Sequence, residues 1–155
     1  MSLPFGFTKK KLEIWGMRRD GHSLAEIGRT LGVTRQAIHK IIPNIDDLIA
    51  NSLRYVAKAA KIDVRYLNTK KGILLGYSHE TESRVIITFS TQHGAQIWHH
   101  HEGKCNECTS KANCKKVLLE EAEERGISLT DEELKLQPSE LARKIFSKVI
   151  PGLEP

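Results

Sequence analysis

Cysteine is scarce in this chain of 155 residues, and all three copies fall between Cys105 and Cys114. A disulfide scaffold is thereby excluded, because such scaffolds spread bridged pairs along a short secreted chain. No apolar run approaches the roughly 18–20 residues of a membrane span. The stretch 1–7 has neither the charged leader nor the apolar core of a secretory signal, so a cytoplasmic protein with no membrane partner is expected. Paired carboxylates, Ser/His/Asp sets and phosphate loops are also missing, and with them the usual signatures of an enzyme. The Glu120–Glu124 run reads as a solvated helix face. There is no internal repeat. What remains is 39% hydrophobic and 28% charged, the composition of an ordinary soluble domain or of one small module with a companion.

Charge is unevenly placed. Residues 1–61 carry eleven Lys/Arg against five acids, or +6; residues 62–104 carry five against four, or +1; residues 105–155 carry eight against ten, or −2. A basic module on a neutral-to-acidic remainder points to an anionic partner bound at one end.

Periodicity divides the chain further. Thr8 suits the N-cap of a first helix carrying Leu12 and Trp15, with Gly21 as its stop. Ser23 and Glu26 have the spacing of a capping box for a helix ending at Leu31 and Gly32. Thr34 opens a helix over 35–42, which Pro43 is expected to end. Asn44 then caps a further helix over 45–61. From Ile62 the period changes to two: Ile62, Val64 and Tyr66 alternate with polar neighbours, Ile73 to Tyr77 is an apolar run, Val85, Ile87 and Phe89 alternate, and Ala95 to Trp98 forms a fourth candidate strand. Short polar connections predict hairpins and an antiparallel sheet. Helices are expected over 115–125, after a Thr130–Glu133 capping box, and from Pro138 through Leu141, Ile145 and Val149. The expected fold is therefore α+β, divided as residues 1–43, a linker or dimerisation helix over 44–61, and an α+β part over 62–155.

The segment Leu24 to Ile42 (LAEIGRTLGVTRQAIHKII) is the most specific feature. Gly28 is small where two helices would cross, and Gly32 permits a positive φ in the turn. Ile27, Leu31, Val33, Ile38 and Ile41 close a small core and leave Thr34, Arg35, Gln36, His39 and Lys40 facing outward. These landmarks resemble the helix-turn-helix of bacterial and archaeal transcription regulators. Over residues 7–62, with Phe7, Thr8, Leu12 and Trp15 in the preceding helix, the chain is similar to the DNA-binding modules of response regulators and sigma-factor region 4. The resemblance implies a recognition helix in the major groove of double-stranded DNA. Arg35 suits guanine O6/N7 and Gln36 adenine N6/N7, while Thr34 and Lys40 suit phosphate; Arg29 and Lys10 supply further cations. One such module buries only about 600–1,000 Å² on DNA, so a homodimer is expected. The near-heptad series Ile45, Leu48, Ser52, Tyr55 and Ala59 offers a dimer seam, or alternatively a face that packs on the sheet.

Cys105-x2-Cys108-x5-Cys114 follows directly on His99-His100-His101. A Cys-x2-Cys knuckle brings two sulfurs to one ion, and a third thiolate with an imidazole from His101 or His99 completes a tetrahedron. Zinc is the expected ion, with an iron–sulfur cluster as the alternative. The site is structural or sensory. The sequence thus reads as a DNA-binding transcription regulator rather than an enzyme. A thiol-redox protein or a partner-recruiting adaptor built on the same helices is the competing reading. Tyr66, Tyr77, Phe89 and Trp98 on the strands read as core before effector pocket.

Overall fold

The computed structural model describes residues 6–99 and 111–150. Three helices, α1 (Lys9–Arg19), α2 (Leu24–Leu31) and α3 (Arg35–Ala59), precede four strands, β1 (Ile62–Asn68), β2 (Ile73–Ser78), β3 (Ser83–Ser90) and β4 (Gly94–His99). Two further helices, α4 (Lys111–Glu124) and α5 (Pro138–Ser147), follow, with a single 3-10 turn at Glu133–Lys135 between them. The strands form an antiparallel meander in the order β1-β2-β3-β4. The α+β class and the hairpin connections expected from the sequence are present.

Two cores sandwich the sheet. Val85, Ile87 and Phe89 of β3 join Leu74, Ile62 and the α1–α3 side chains Leu12, Ile14, Trp15, Ile27, Ile38, Ile45, Ile49 and Leu53. Their neighbours of opposite parity, Ile73, Ile86 and Trp98, join Val117, Leu118, Leu141, Ile145 and Phe146 of α4 and α5. Covering both faces explains why β3 is buried at every position from Val85 to Ser90, as only an interior strand can be. Phe89 anchors the first core, with the rings of Phe7 and Trp15 each 5.1 Å away. Of the four strand aromatics, Phe89 and Trp98 are core, whereas Tyr66 is 41% exposed and Tyr77 half-buried.

The largest departure from sequence expectation is at Pro43. The helix does not stop there but runs on as one 25-residue segment, so the expected division at 43/44 falls mid-helix. An internal proline costs about 3 kcal/mol through a lost hydrogen bond and a ring clash. Against that, Ile45, Ile49 and Leu53 are each fully buried on the sheet, and each burial stabilises by about 1.5–3 kcal/mol. The burial outweighs the break. Pro43 and His39 both lie on the exposed side of the helix.

That same burial divides the α3 seam. Ile45 and Ser52 are buried and Leu48 half-buried against the protein's own core, while Tyr55 and Ala59 point to solvent. Its first three members therefore face the protein's own core and its last two do not.

A second correction concerns Glu120–Glu124. Glu121 is 1% exposed and hydrogen-bonded to Thr88. Glu124 accepts from Arg19 of α1 and from the Thr91 amide, and Glu120 meets His93. Only Glu123 of the run's acids is exposed. A helix face lined with carboxylates is turned inward here because the sheet supplies hydroxyl, amide and cationic partners, which sequence spacing does not reveal.

Candidate nucleic-acid interface

Local chemistry builds the α2–α3 corner. Ser23 Oγ accepts from the Glu26 amide at 3.1 Å and caps α2, while the Glu26 carboxylate lies 3.0 Å from His22 Nδ1. Gly32 takes the left-handed conformation (φ 69°, ψ 31°) after α2. Thr34 Oγ1 then accepts from the Ala37 amide at 3.1 Å and starts α3. Between them the Val33 amide donates to Gly28 O at 2.9 Å. A Cβ on Gly28 would lie 2.7 Å from Val33 O and 3.3 Å from the Thr34 carbonyl carbon, both backbone atoms that cannot yield easily. Only glycine lets the turn close down on α2.

Inside the corner, Ile27 and Ile38 are buried, with Leu31, Val33 and Ile41 partly buried against the same core. Outside it, Thr34, Arg35, Gln36, His39 and Lys40 are all exposed. Arg35, Gln36, His39 and Lys40 together line one surface depression of about 360 Å³. The first turn of α3 carries no acid, so the positive end of the helix dipole adds to Arg35 and Lys40. Thr34 is exposed, but its hydroxyl oxygen is committed to the cap. Arg29 on α2 and Lys10 in the first turn of α1 are exposed too, outside that depression.

Tertiary contacts that the sequence did not announce hold this corner to the sheet. Arg18 of α1 donates to Asp46 of α3 at 2.6 Å, and Asp46 also accepts from Thr69 Oγ1 at 3.0 Å. Trp15 Nε1 donates to Thr69 O at 2.9 Å. One carboxylate thus joins α1, α3 and the β1–β2 turn. The only sequence cue was the acid pair Asp46–Asp47 between apolar residues.

The expected metal ligands are placed less completely. His101, Cys105 and Cys108 lie outside the described residues. His99 ends β4 opposite Val85, which puts it on the α1–α3 face of the sheet. Cys114 sits on α4, which begins at Lys111 rather than at the expected 115, and packs against the core of the opposite face. The two described donors are therefore on different sides of the sheet. Among the described residues no group of three or more His, Cys, Asp or Glu is placed to hold an ion, and no helix is long and apolar enough to cross a membrane.

No family model, curated protein or solved structure matches this chain.

Proposed function

We propose that the chain is a DNA-binding transcription regulator of the helix-turn-helix kind, a binding protein rather than an enzyme. The observation that carries this reading is the exposure of Thr34, Arg35, Gln36, His39 and Lys40 at the start of α3, four of them around one depression. Had those side chains packed on the sheet, the reading would have failed. Arg35 and Gln36 have the donor patterns that read guanine and adenine edges, and Lys40 and Arg29 are cations suited to phosphate. The +6 charge of residues 1–61 supplies the long-range attraction.

Homodimerisation belongs to this proposal, because a single module seldom buries enough surface for specific affinity. Its interface is then a surface other than the buried stripe of α3. Zinc held by Cys105, Cys108 and Cys114 belongs to it as well, supported by the ligand spacing and by thiolate chemistry in a reducing, cytoplasmic setting. His101 or His99 supplies the fourth ligand in this proposal.

Selection from a random duplex library, followed by anisotropy titration of the recovered site, tests the reading. Arg35→Ala is expected to weaken specific binding by about 1–3 kcal/mol and to relax base preference at one position. An Arg35→Ala protein with the parent's affinity and preference rules out this recognition helix.

A further inference from the structure

The outward face of α3 does not end at Lys40. At 3.6 residues per turn, Gln36, Lys40, Asp47, Arg54 and Lys58 fall within about 40° of one another on the helix surface, and every one of them is exposed. Asp47 is the one acid on that stripe. It separates a near group of cations, Arg35 and Lys40, from a far group, Arg54, Lys58 and the adjoining Lys61.

Among the described residues the far group meets no carboxylate, in contrast to Arg18 and Arg19, which are paired with Asp46 and Glu124. Arg54 and Lys58 stand four residues apart on the helix, a spacing at which like charges repel, and Lys61 follows just past the helix end. The dipole at the helix C-terminus favours a cation in the last turn but does not account for three. A concentration of unpaired positive charge on a rigid helix is complementary to a polyanion. About 27 Å of helix separates Lys40 from Lys58. That is more than twice the roughly 12 Å width of the major groove, so the far group lies beyond the groove segment taken by the near group.

Resting on the DNA-binding reading, we infer that Arg54, Lys58 and Lys61 form a second contact point, binding phosphates of the same duplex that flank the site read by Arg35 and Gln36. The partner is nucleic-acid backbone and the contact carries no base preference. The unbroken passage of α3 through Pro43 makes this possible: a helix ending there would leave the two groups without a fixed separation.

The test uses the full chain, with Arg54→Glu and Lys58→Glu combined, on two duplexes centred on the selected site. One is about 24 base pairs, roughly two turns; the other is about 10, reaching only about 17 Å either side of its centre at 3.4 Å per step. On the long duplex the slope of log K against log salt is expected to become shallower by about 2, from two lost phosphate contacts. On the short duplex parent and variant are expected to agree. A variant with the parent's slope on the long duplex overturns the inference while leaving the recognition helix intact. Equal loss on both duplexes also overturns it, by placing the contact within the central groove. So does an unchanged duplex slope with lost binding to polyglutamate, which would assign the patch to an acidic protein. Failure of the parent to bind any duplex is the separate result that removes the DNA-binding reading itself.

Discussion

Thr88 on β3 donates its hydroxyl to the buried carboxylate of Glu121 on α4, with 2.9 Å to each carboxylate oxygen. The same hydroxyl accepts from Trp98 Nε1 at 3.0 Å, and Arg125 Nε stands 3.8 Å from Glu121. Arg125 in turn donates to the carbonyls of Lys71 and Phe89. A charged pair and a hydroxyl thus occupy the interior between the sheet and α4, where an apolar contact would be the default.

Burial pushes the Glu121 carboxyl up to about 6, against the opposing pull of Arg125 and of the Thr88 hydrogen bond. The unfolded chain titrates this group near 4.5. The folded form therefore holds the proton more tightly. Its contribution to stability is fully present below pH 4.5 and is lost as pH rises through about 6. The shift corresponds to a loss on the order of 2 kcal/mol. Urea midpoints measured from pH 4.5 to 7.5 are expected to show that fall in the parent and not in Glu121→Gln. Parallel pH profiles would exclude Glu121 as the titrating group.

Gly28→Ala is expected to destabilise the protein by about 1–3 kcal/mol, because the new methyl meets the Val33 carbonyl at 2.7 Å and the turn must open. Opening it tilts the start of α3, so duplex affinity should fall alongside Tm. Thermal melts and anisotropy read the two effects. An unchanged Tm would show that α2 and α3 do not close as tightly as described.

Pro43→Ala should act in the opposite sense. Restoring an amide donor to the His39 carbonyl in an already continuous helix is expected to raise stability by about 1–3 kcal/mol, less whatever the proline gains by restricting the unfolded chain. Chemical denaturation measures it. A loss of stability would mean that the proline ring makes a contact the helix depends on.

For the metal proposal, mass spectrometry under native conditions is expected to find one zinc per chain, reduced in Cys108→Ser. Chelation should lower Tm, since a bound ion would supply ordering free energy to a segment whose sequence is polar and lysine-bearing. Full-length chain with no bound zinc and a chelator-insensitive Tm would leave the three cysteines without this role.

Where chemistry was local, the elements could be read directly from residues. Thr8, Ser23 and Thr34 cap the helices they were expected to cap. Thr130 and Glu133 bond reciprocally as a capping box, although only a 3-10 turn follows. The parity of Val85, Ile87 and Phe89 placed them together on the face of β3 toward α1–α3, although both faces of that strand are buried, and Gly28 and Gly32 do what their size and freedom allow. The seven residues proposed for DNA are all exposed because amphipathic spacing already sorted them from Ile27 and Ile38.

Other features depended on partners distant in the chain. Pro43 reads as a stop by its own covalent chemistry, and only the sheet beneath Ile45, Ile49 and Leu53 overrides it. Glu121 and Glu124 read as solvated until Thr88, Thr91 and Arg19 are brought against them. Capping, turn geometry and side-chain parity are fixed within a few residues, so the order of letters determined where helices begin and which faces are apolar. Burial sums contributions from segments tens of residues apart, so the continuity of α3 and the inward acids of α4 were decided by tertiary packing alone.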